Sequence, residues 1–431
     1  MNRSGGHTAR PLECRTFGHA ATRGRSTACE CPAHEWQPIQ RPLIVAAYAL
    51  NVVVRAHRAV LRRRRRNGTA TEIIRAGLED CWDGTHYRAS PGHFRQFWTR
   101  DLSFSAPALA RLSPQHRERA LASFDWAIRT WERRRSHITT TIHYFHQPVD
   151  VFDYGVDCLP LMLAALRRIG ASDLLEEHRP WLEAEVRHYM DEVVDPQTGM
   201  VRSDRKYSAH RDTVINRCNA FGNSMVALLA MTLVDLGWDL PEPMQPLAIA
   251  PQSILLDHFW DERGFFVDSI GDDTPSGEGN IWPFWTGAIT DPAVLRKALH
   301  ELEERGYADP YPLKYEVTRR PELEPLFVRT FMPDYQGATV WTSLGSMYLQ
   351  LLHSFDPAQA KVELDRYVAW IERDGTFWEV IDDETGRAYR SNPLSPSDDG
   401  MLWSAIFLDL LENSSLPAPT MREPVPTAAD S

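Results

Sequence analysis

Beyond residue 68, apolar residues recur at three- and four-residue spacing, and the intervals between these stretches are short and marked by Pro or Gly. Such spacing puts the apolar side chains on one face of a helix. It predicts helices over 116–134, 155–169, 174–193, 216–236, 293–305, 339–353 and 358–372. No strands alternate with them, so the expected fold class is all-α. Three segments repeat a theme of an acid, a turn Gly and strand-type apolar residues: DPQTGMV around Gly199, DERGFFVDS around Gly264 and ERDGTFWEV around Gly375. Their separations, 65 and 111 residues, are near one and two units of a common length. Six helical hairpins over 67–431 would average about 61 residues each, which fits those intervals. The pattern therefore predicts an (α/α)6 toroid of six helical hairpins, with short β-hairpin insertions in its loops, folded over 67–415 and followed by a disordered tail over 416–431.

Composition agrees with a large folded core. The 431 residues are 43% hydrophobic and 10% aromatic, with 14 Trp, which excludes disordered, collagenous and coiled-coil chains. Charge is unevenly placed. Residues 1–66 hold thirteen Arg and three acids, a net +10, and the remainder carries −21, a poor match for nucleic acid. Residues 1–40 mix Gly, Ser, Thr, Arg and Pro without period and read as a disordered leader. Residues 41–66 read as a basic N-terminal helix, with Leu43, Ala46, Ala47, Leu50 and Val54 on one face and five Arg at its end. Its basic end, 55–66, permits weak contact with an anionic membrane surface without requiring it. The apolar run Leu43–Val54 is far short of the roughly 20 residues that span a bilayer. Six unpatterned Cys and no recognisable signal peptide point to reduced thiols and a cytoplasmic location. Cys29, Cys31 and His34 match no zinc spacing, so no metal and no organic cofactor is expected.

In a toroid of this kind, loops at one rim gather aromatic and acidic residues from distant parts of the chain into one funnel. A sugar offers hydroxyls to carboxylates and apolar C–H faces to aromatic rings, so Trp and Asp/Glu there suit a carbohydrate. Several segments carry that chemistry. In HFRQFWTRDLSF (93–104), Trp98, Arg100 and Asp101 stand before a helical pattern. In VDVFDYGVDCLPLML (149–163), Asp153 and Tyr154 stand at a helix entry, where an Asp also serves as an N-cap. In SDRKYSAHRDTVINRCNAFGNSM (203–225), Asp212 and Arg217 precede an apolar helix. The segments GEGNIWPFWTG (277–287) and PDYQGATVWTSLGSMYL (333–349) supply Trp282, Trp285, Gln336 and Trp341. Aromatic residues there serve equally as stacking platforms and as corner packing. Finally, GTFWEVIDDETGRAYRSNPLSPSDDGMLWSAIFLDLL (375–411) carries Glu379 and Trp403.

These segments resemble, in sequence order, motifs of the (α/α)6-barrel glycoside hydrolase clan: glucoamylases, alkaline/neutral invertases, family 63 enzymes and glycogen-debranching glucosidases. FWTRD resembles the WxRD motif, which implies that Arg100 and Asp101 bind the terminal sugar. DYG resembles an Asp-Ser-Gly segment with Tyr154 substituted, which implies substrate binding by Asp153. The Asp212 segment resembles one whose Asp is the catalytic acid and whose following Arg is a sugar ligand. That implies these roles for Asp212 and Arg217, with His210 and Arg211 replacing the usual context. A general acid must keep its proton near neutrality, and neighbouring Arg211 and Arg217 are expected to oppose that. The pattern F-x-E-x-x-D-x-x-T-G with a WSAA-like helix implies Glu379 as base. Together they imply an inverting, exo-acting hydrolase of a terminal α-linked, glucosyl-type sugar in a small-molecule carbohydrate. Two other readings use the same architecture. A sugar epimerase would rely on paired His, for which His143, His146 and His210 are candidates. A non-catalytic glycan-binding protein would have lost the carboxylates, and both are present.

Overall fold

The computed structural model describes Val53, residues 65–392, residues 395–414 and Met421. The expected leader over 1–40, most of the basic helix over 41–66 and the tail over 416–431, Met421 apart, lie outside the described residues. Twelve helices of the described part organise the fold. They are α1 Ala70–Cys81, α2 Thr99–Leu112, α3 Pro114–Arg134, α4 Cys158–Arg168, α5 Arg179–Val193 and α6 Ala220–Leu236, followed by α7 Pro251–Phe259, α8 Trp282–Trp285, α9 Pro292–Glu304, α10 Thr342–His353, α11 Pro357–Asp374 and α12 Ser404–Asn413. Three further short ones, Ser172–Glu177, Gln245–Ile249 and Leu326–Phe331, sit in connections. No described helix is long and apolar enough to cross a membrane.

The even-numbered helices contact one another in a cycle: α2 meets α4, α4 meets α6, α6 meets α8, α8 meets α10, α10 meets α12, and α12 returns to α2. Their sequences explain the position. α4 is buried from Cys158 to Leu166 and α6 from Ala220 to Leu233, on every face, as befits helices that are apolar all round. Most odd-numbered helices bury one stripe and lie against this set: α3 on α2, α5 on α4, α7 on α6, α11 on α10, and α1 on both α11 and α12, whereas α9 packs on the Phe265–Phe266 strand and the turn at 278–280. In α3 the stripe is His116, Ala120, Phe124, Ala127, Ile128 and Trp131, at helical spacing, with charge on the other face.

Caps set several boundaries. Thr69 and Glu72 form a capping box on α1, Asn219 accepts from the Gly222 N–H at 2.8 Å on α6, and Asp356 accepts from the Gln359 N–H at 2.9 Å on α11. Each such cap stabilises its helix by about 1 kcal/mol. Gly375 ends α11 at φ 67°, a left-handed conformation that glycine adopts without a Cβ penalty. The expected helix over 174–193 is two, because the chain breaks at His178, just before Pro180 in the first turn of α5.

Short strands fix the starts of the buried helices. β1 Phe97–Trp98 pairs with β2 Thr141–His143, which forms a hairpin with β3 Gln147–Val149. β4 Trp260–Asp261 and β5 Phe265–Phe266 form a second hairpin across Gly264. β6 Val340–Trp341 pairs with β7 Val380–Ile381. β1 leads directly into α2 and β6 into α10, so their N-terminal turns are tied to distant parts of the chain in each case.

Candidate functional site

A cavity of about 460 Å³ opens at these N-terminal turns. α2 supplies Arg100 and Asp101 from its first turn and Trp98 from its cap position. α10 supplies Ser343, with Trp341 just before it, and α12 is preceded by Trp403. The 210–213 segment adds His210, Asp212 and Thr213, and Glu379 comes from the residue before β7. Asp212 and Glu379, 167 positions apart in sequence, thus line one hollow.

Arg100 is buried and forks onto Asp157, with Nε 3.1 Å from Oδ2 and Nη2 3.2 Å from Oδ1. Nη2 also donates to Ser208 Oγ at 3.0 Å, and Nη1 lies 3.6 Å from Asp212 Oδ2. Asp157 and Asp212 share this one guanidinium, and Asp101 feels its charge. Burial raises Asp212, Arg100 pulls it back, the charge of Asp157 pushes it up again, and the carboxyl ends at about 6. Burial, with the charge of Asp212 adding to it, pushes Asp101 up to about 7 despite Arg100. The expected opposition from Arg211 and Arg217 is absent for a geometric reason. Arg211 turns away from the cavity into a buried cluster, 2.6 Å from Glu278, 2.7 Å from Glu316 and 2.8 Å from Asp268, and Arg217 is exposed.

Glu379 is held at both oxygens. The Tyr335 hydroxyl donates to Oε1, and the Asp398 N–H donates to Oε2 at 3.0 Å. Asp398 in turn accepts from the N–H groups of His93, at 2.8 Å, and Phe94, at 3.0 Å. The loop approaches Asp398 so closely at Gly92 that a Cβ there would collide with the carboxylate. The indole N–H groups of Trp341 and Trp403 are spent on the Tyr335 carbonyl and on Thr342 Oγ1, at 2.8 and 2.9 Å. Their rings line the cavity as oriented apolar faces.

The cavity brings together Trp98, Arg100, Asp101, Asp212, Gln336, Trp341, Glu379 and Trp403, but not Asp153, Tyr154, Arg217, Trp282 or Trp285. Asp153 is exposed and lies five residues before the helix, whose cap position is Asp157. Tyr154 packs on His137, His188 and Tyr189. Trp282 and Trp285 are fully buried on α8, against Phe104, Phe221 and each other, so they are core and not stacking platforms. Gln336 reaches the cavity with its amide already engaged. Its Oε1 accepts from Thr213 N–H and Oγ1, at 2.7 and 2.6 Å, and its Nε2 donates to the His210 carbonyl at 3.2 Å. It clamps the segment that carries Asp212. Asp157, Tyr335 and Asp398 were not anticipated. Asp157 was legible only as the second acid of DYGVD.

His143 and His210 also line the cavity, whereas His146 is exposed. Burial lowers His143 to about 4 and His210 to about 3, where nearby Arg100 and Arg211 add to the effect. His210 Nδ1 is 2.7 Å from the Tyr315 hydroxyl. Among the described residues, Asp125, Glu177 and His178 could converge on a metal ion, but Arg129 pairs with both acids.

No family model matches the chain, and no curated protein sequence does. Solved structures do match. A structure titled as a glycosidase aligns with TM-score 0.55 at 16% identity, over 80% of this chain and 97% of its own. The GH63 mannosylglycerate hydrolase from Thermus thermophilus, in complex with Tris and D-glycerate, aligns with TM-score 0.55 at 15% identity, over 79% and 99%. A rhamnosidase from Klebsiella oxytoca with rhamnose bound aligns with TM-score 0.56 at 15% identity, over 80% of this chain and 63% of its own. The fold is one that glycoside hydrolases use. At these identities the likeness concerns the backbone, and the chemistry has to be argued from the cavity.

Proposed function

We propose that the protein is a glycoside hydrolase that cleaves a terminal α-linked sugar by single displacement with inversion. The cycle of six buried helices, packed against an outer set, is read as the (α/α)6 toroid. One observation carries the chemical reading: Asp212, raised to about 6, and Glu379, gripped by two donors, line the same cavity. Asp212 gives its proton to the glycosidic oxygen as the bond to the anomeric carbon breaks. Glu379 takes a proton from a water that attacks the opposite face. The two carboxyls of such a pair stand roughly 6.5–9.5 Å apart, which leaves room for that water. Arg100 and Asp101 bond the sugar hydroxyls, and Trp98, Trp341 and Trp403 cover its apolar faces.

A sugar epimerase has the two cavity histidines in its favour. With His143 and His210 lowered to about 4 and 3, neither imidazole holds a proton to donate near neutrality, whereas Asp212, raised to about 6, is the better acid. The similar structures carry the names of a mannosylglycerate hydrolase and a rhamnosidase, so the test uses α-glucosides, α-mannosides and α-rhamnosides. Glucosyl is the first expectation. Asp212→Asn and Glu379→Gln should each lower kcat by about 10²–10⁴-fold while sugar binding persists. Unchanged release of reducing sugar from either variant would refute the assignment.

A further inference from the structure

The buried wall of the cavity holds its polar groups, Arg100, Asp101, His143, His210 and Glu379 among them, interleaved with the rings of Phe104, Trp341 and Trp403. The lining residues that keep solvent exposure, and so mark the mouth, are Phe94, Trp98, Val151, Phe152, Met332 and Asp212. All but Asp212 are aromatic or aliphatic. Phe152 is 58% exposed and is held at φ 68°, a left-handed conformation that a bulky residue adopts at a cost. With Phe94, Trp98, Val151 and Met332 beside it, Phe152 makes the mouth a contiguous apolar patch, the kind of surface that takes an apolar partner.

Charge narrows the partner. Arg100 is the one cation among the described lining residues, and its charge is offset by the carboxylates of Asp157 and Asp212 beside it. Asp101, Asp212 and Glu379 line the same space. A leaving group with a carboxylate or phosphate would meet acids, and a single cation already balanced by two of them.

We infer that the substrate is a glycoside whose leaving group is uncharged and apolar, aromatic or hydrocarbon, seated against Phe152, Val151 and Met332 while the sugar occupies the polar wall. The inference rests on the hydrolase reading and names its substrate class. Sugar hydroxyls bond the acids and Arg100 of the wall, the rings of Trp341 and Trp403 cover the sugar's C–H faces, and the leaving group removes the apolar mouth from water.

The test compares benzyl, methyl and 2-glyceryl-carboxylate α-glycosides of one sugar. Benzyl and methyl alcohols differ little as leaving groups, so their ratio reports the mouth. The benzyl glycoside should exceed the methyl glycoside in kcat/KM by about tenfold or more, chiefly through KM, and the carboxylate glycoside should be the poorest. Phe152→Ser should shrink the benzyl-to-methyl ratio severalfold, and Phe152→Leu should restore most of it. Equal rates for benzyl and methyl, a preference for the carboxylate, or a ratio untouched by Phe152→Ser would overturn the inference. If no glycoside is hydrolysed, the hydrolase reading falls separately. Calorimetric binding of benzyl and methyl thioglycosides then decides: tighter benzyl binding upholds the apolar mouth, and equal binding rejects it.

Discussion

Two buried arginines, Arg100 and Arg211, each gather acids from distant parts of the chain, and they do different work. Arg211 spends Nε, Nη1 and Nη2 on three separate carboxylates at 2.6–2.8 Å, none of which lines the cavity. Arg100 forks on Asp157 and leaves Asp101 and Asp212 at the edge of its field, both facing the hollow. The neighbours Arg211 and Asp212 therefore point in opposite directions. One locks the 210–213 segment to residues 268–316, and the other is delivered to the cavity by that lock. Burial raises acids in both clusters, Glu278 and Glu316 to about 7 and Asp212 to about 6, so a shifted acid alone does not mark a site. Access to a cavity does.

The contrast can be broken first at its structural end. Arg211→Met should cost about 3–5 kcal/mol of folding stability, because it strands three carboxylates in the interior. Urea unfolding measures this, and a loss below about 1 kcal/mol would mean that the cluster is not a lock.

A second prediction concerns pH at the functional end. Asp212 is raised from the ordinary Asp range, so it carries its proton below about 6 and loses it above. For alkyl glycosides kcat/KM should fall about tenfold per pH unit on that alkaline side. Nitrophenyl glycosides, whose leaving group needs no proton, should fall much less. Equal limbs for both would remove Asp212 from the acid role.

The smallest effect tests how Asp212 is held. Gln336→Ala removes the amide that clamps Thr213 and the His210 carbonyl. It should lower kcat by about tenfold with little change in KM, and a matching rise in KM would instead place Gln336 on the sugar.

The helices were legible because each buries a stripe or a whole surface, and apolar spacing records that directly. α2 was harder to bound, since Pro107 sits within it and its first turn holds the charged Arg100 and Asp101. At the site, the sequence indicates residues whose type matches carbohydrate chemistry, and those that stand at helix starts, Trp98, Arg100, Asp101 and Trp403 among them, line the cavity. Others lie outside it where type and place diverge. Trp282 and Trp285 lie between Gly residues and around a Pro, as loop residues do, yet they form a helical turn in the core. Asp153 looked like the acid at a helix entry, but the chain runs on to Asp157, whose carboxylate Arg100 claims. The tie from Asp398 to Glu379 crosses 19 residues without any local pattern to announce it.

The measurement that tests the pairing of Asp212 with Glu379 most directly is proton NMR of the sugar released in the first minutes of hydrolysis of an α-glycoside. An acid and a base acting on opposite faces of the ring, with water between, release the β-anomer, which then mutarotates. Initial release of the α-anomer, or no release from any α-glycoside offered, would contradict it.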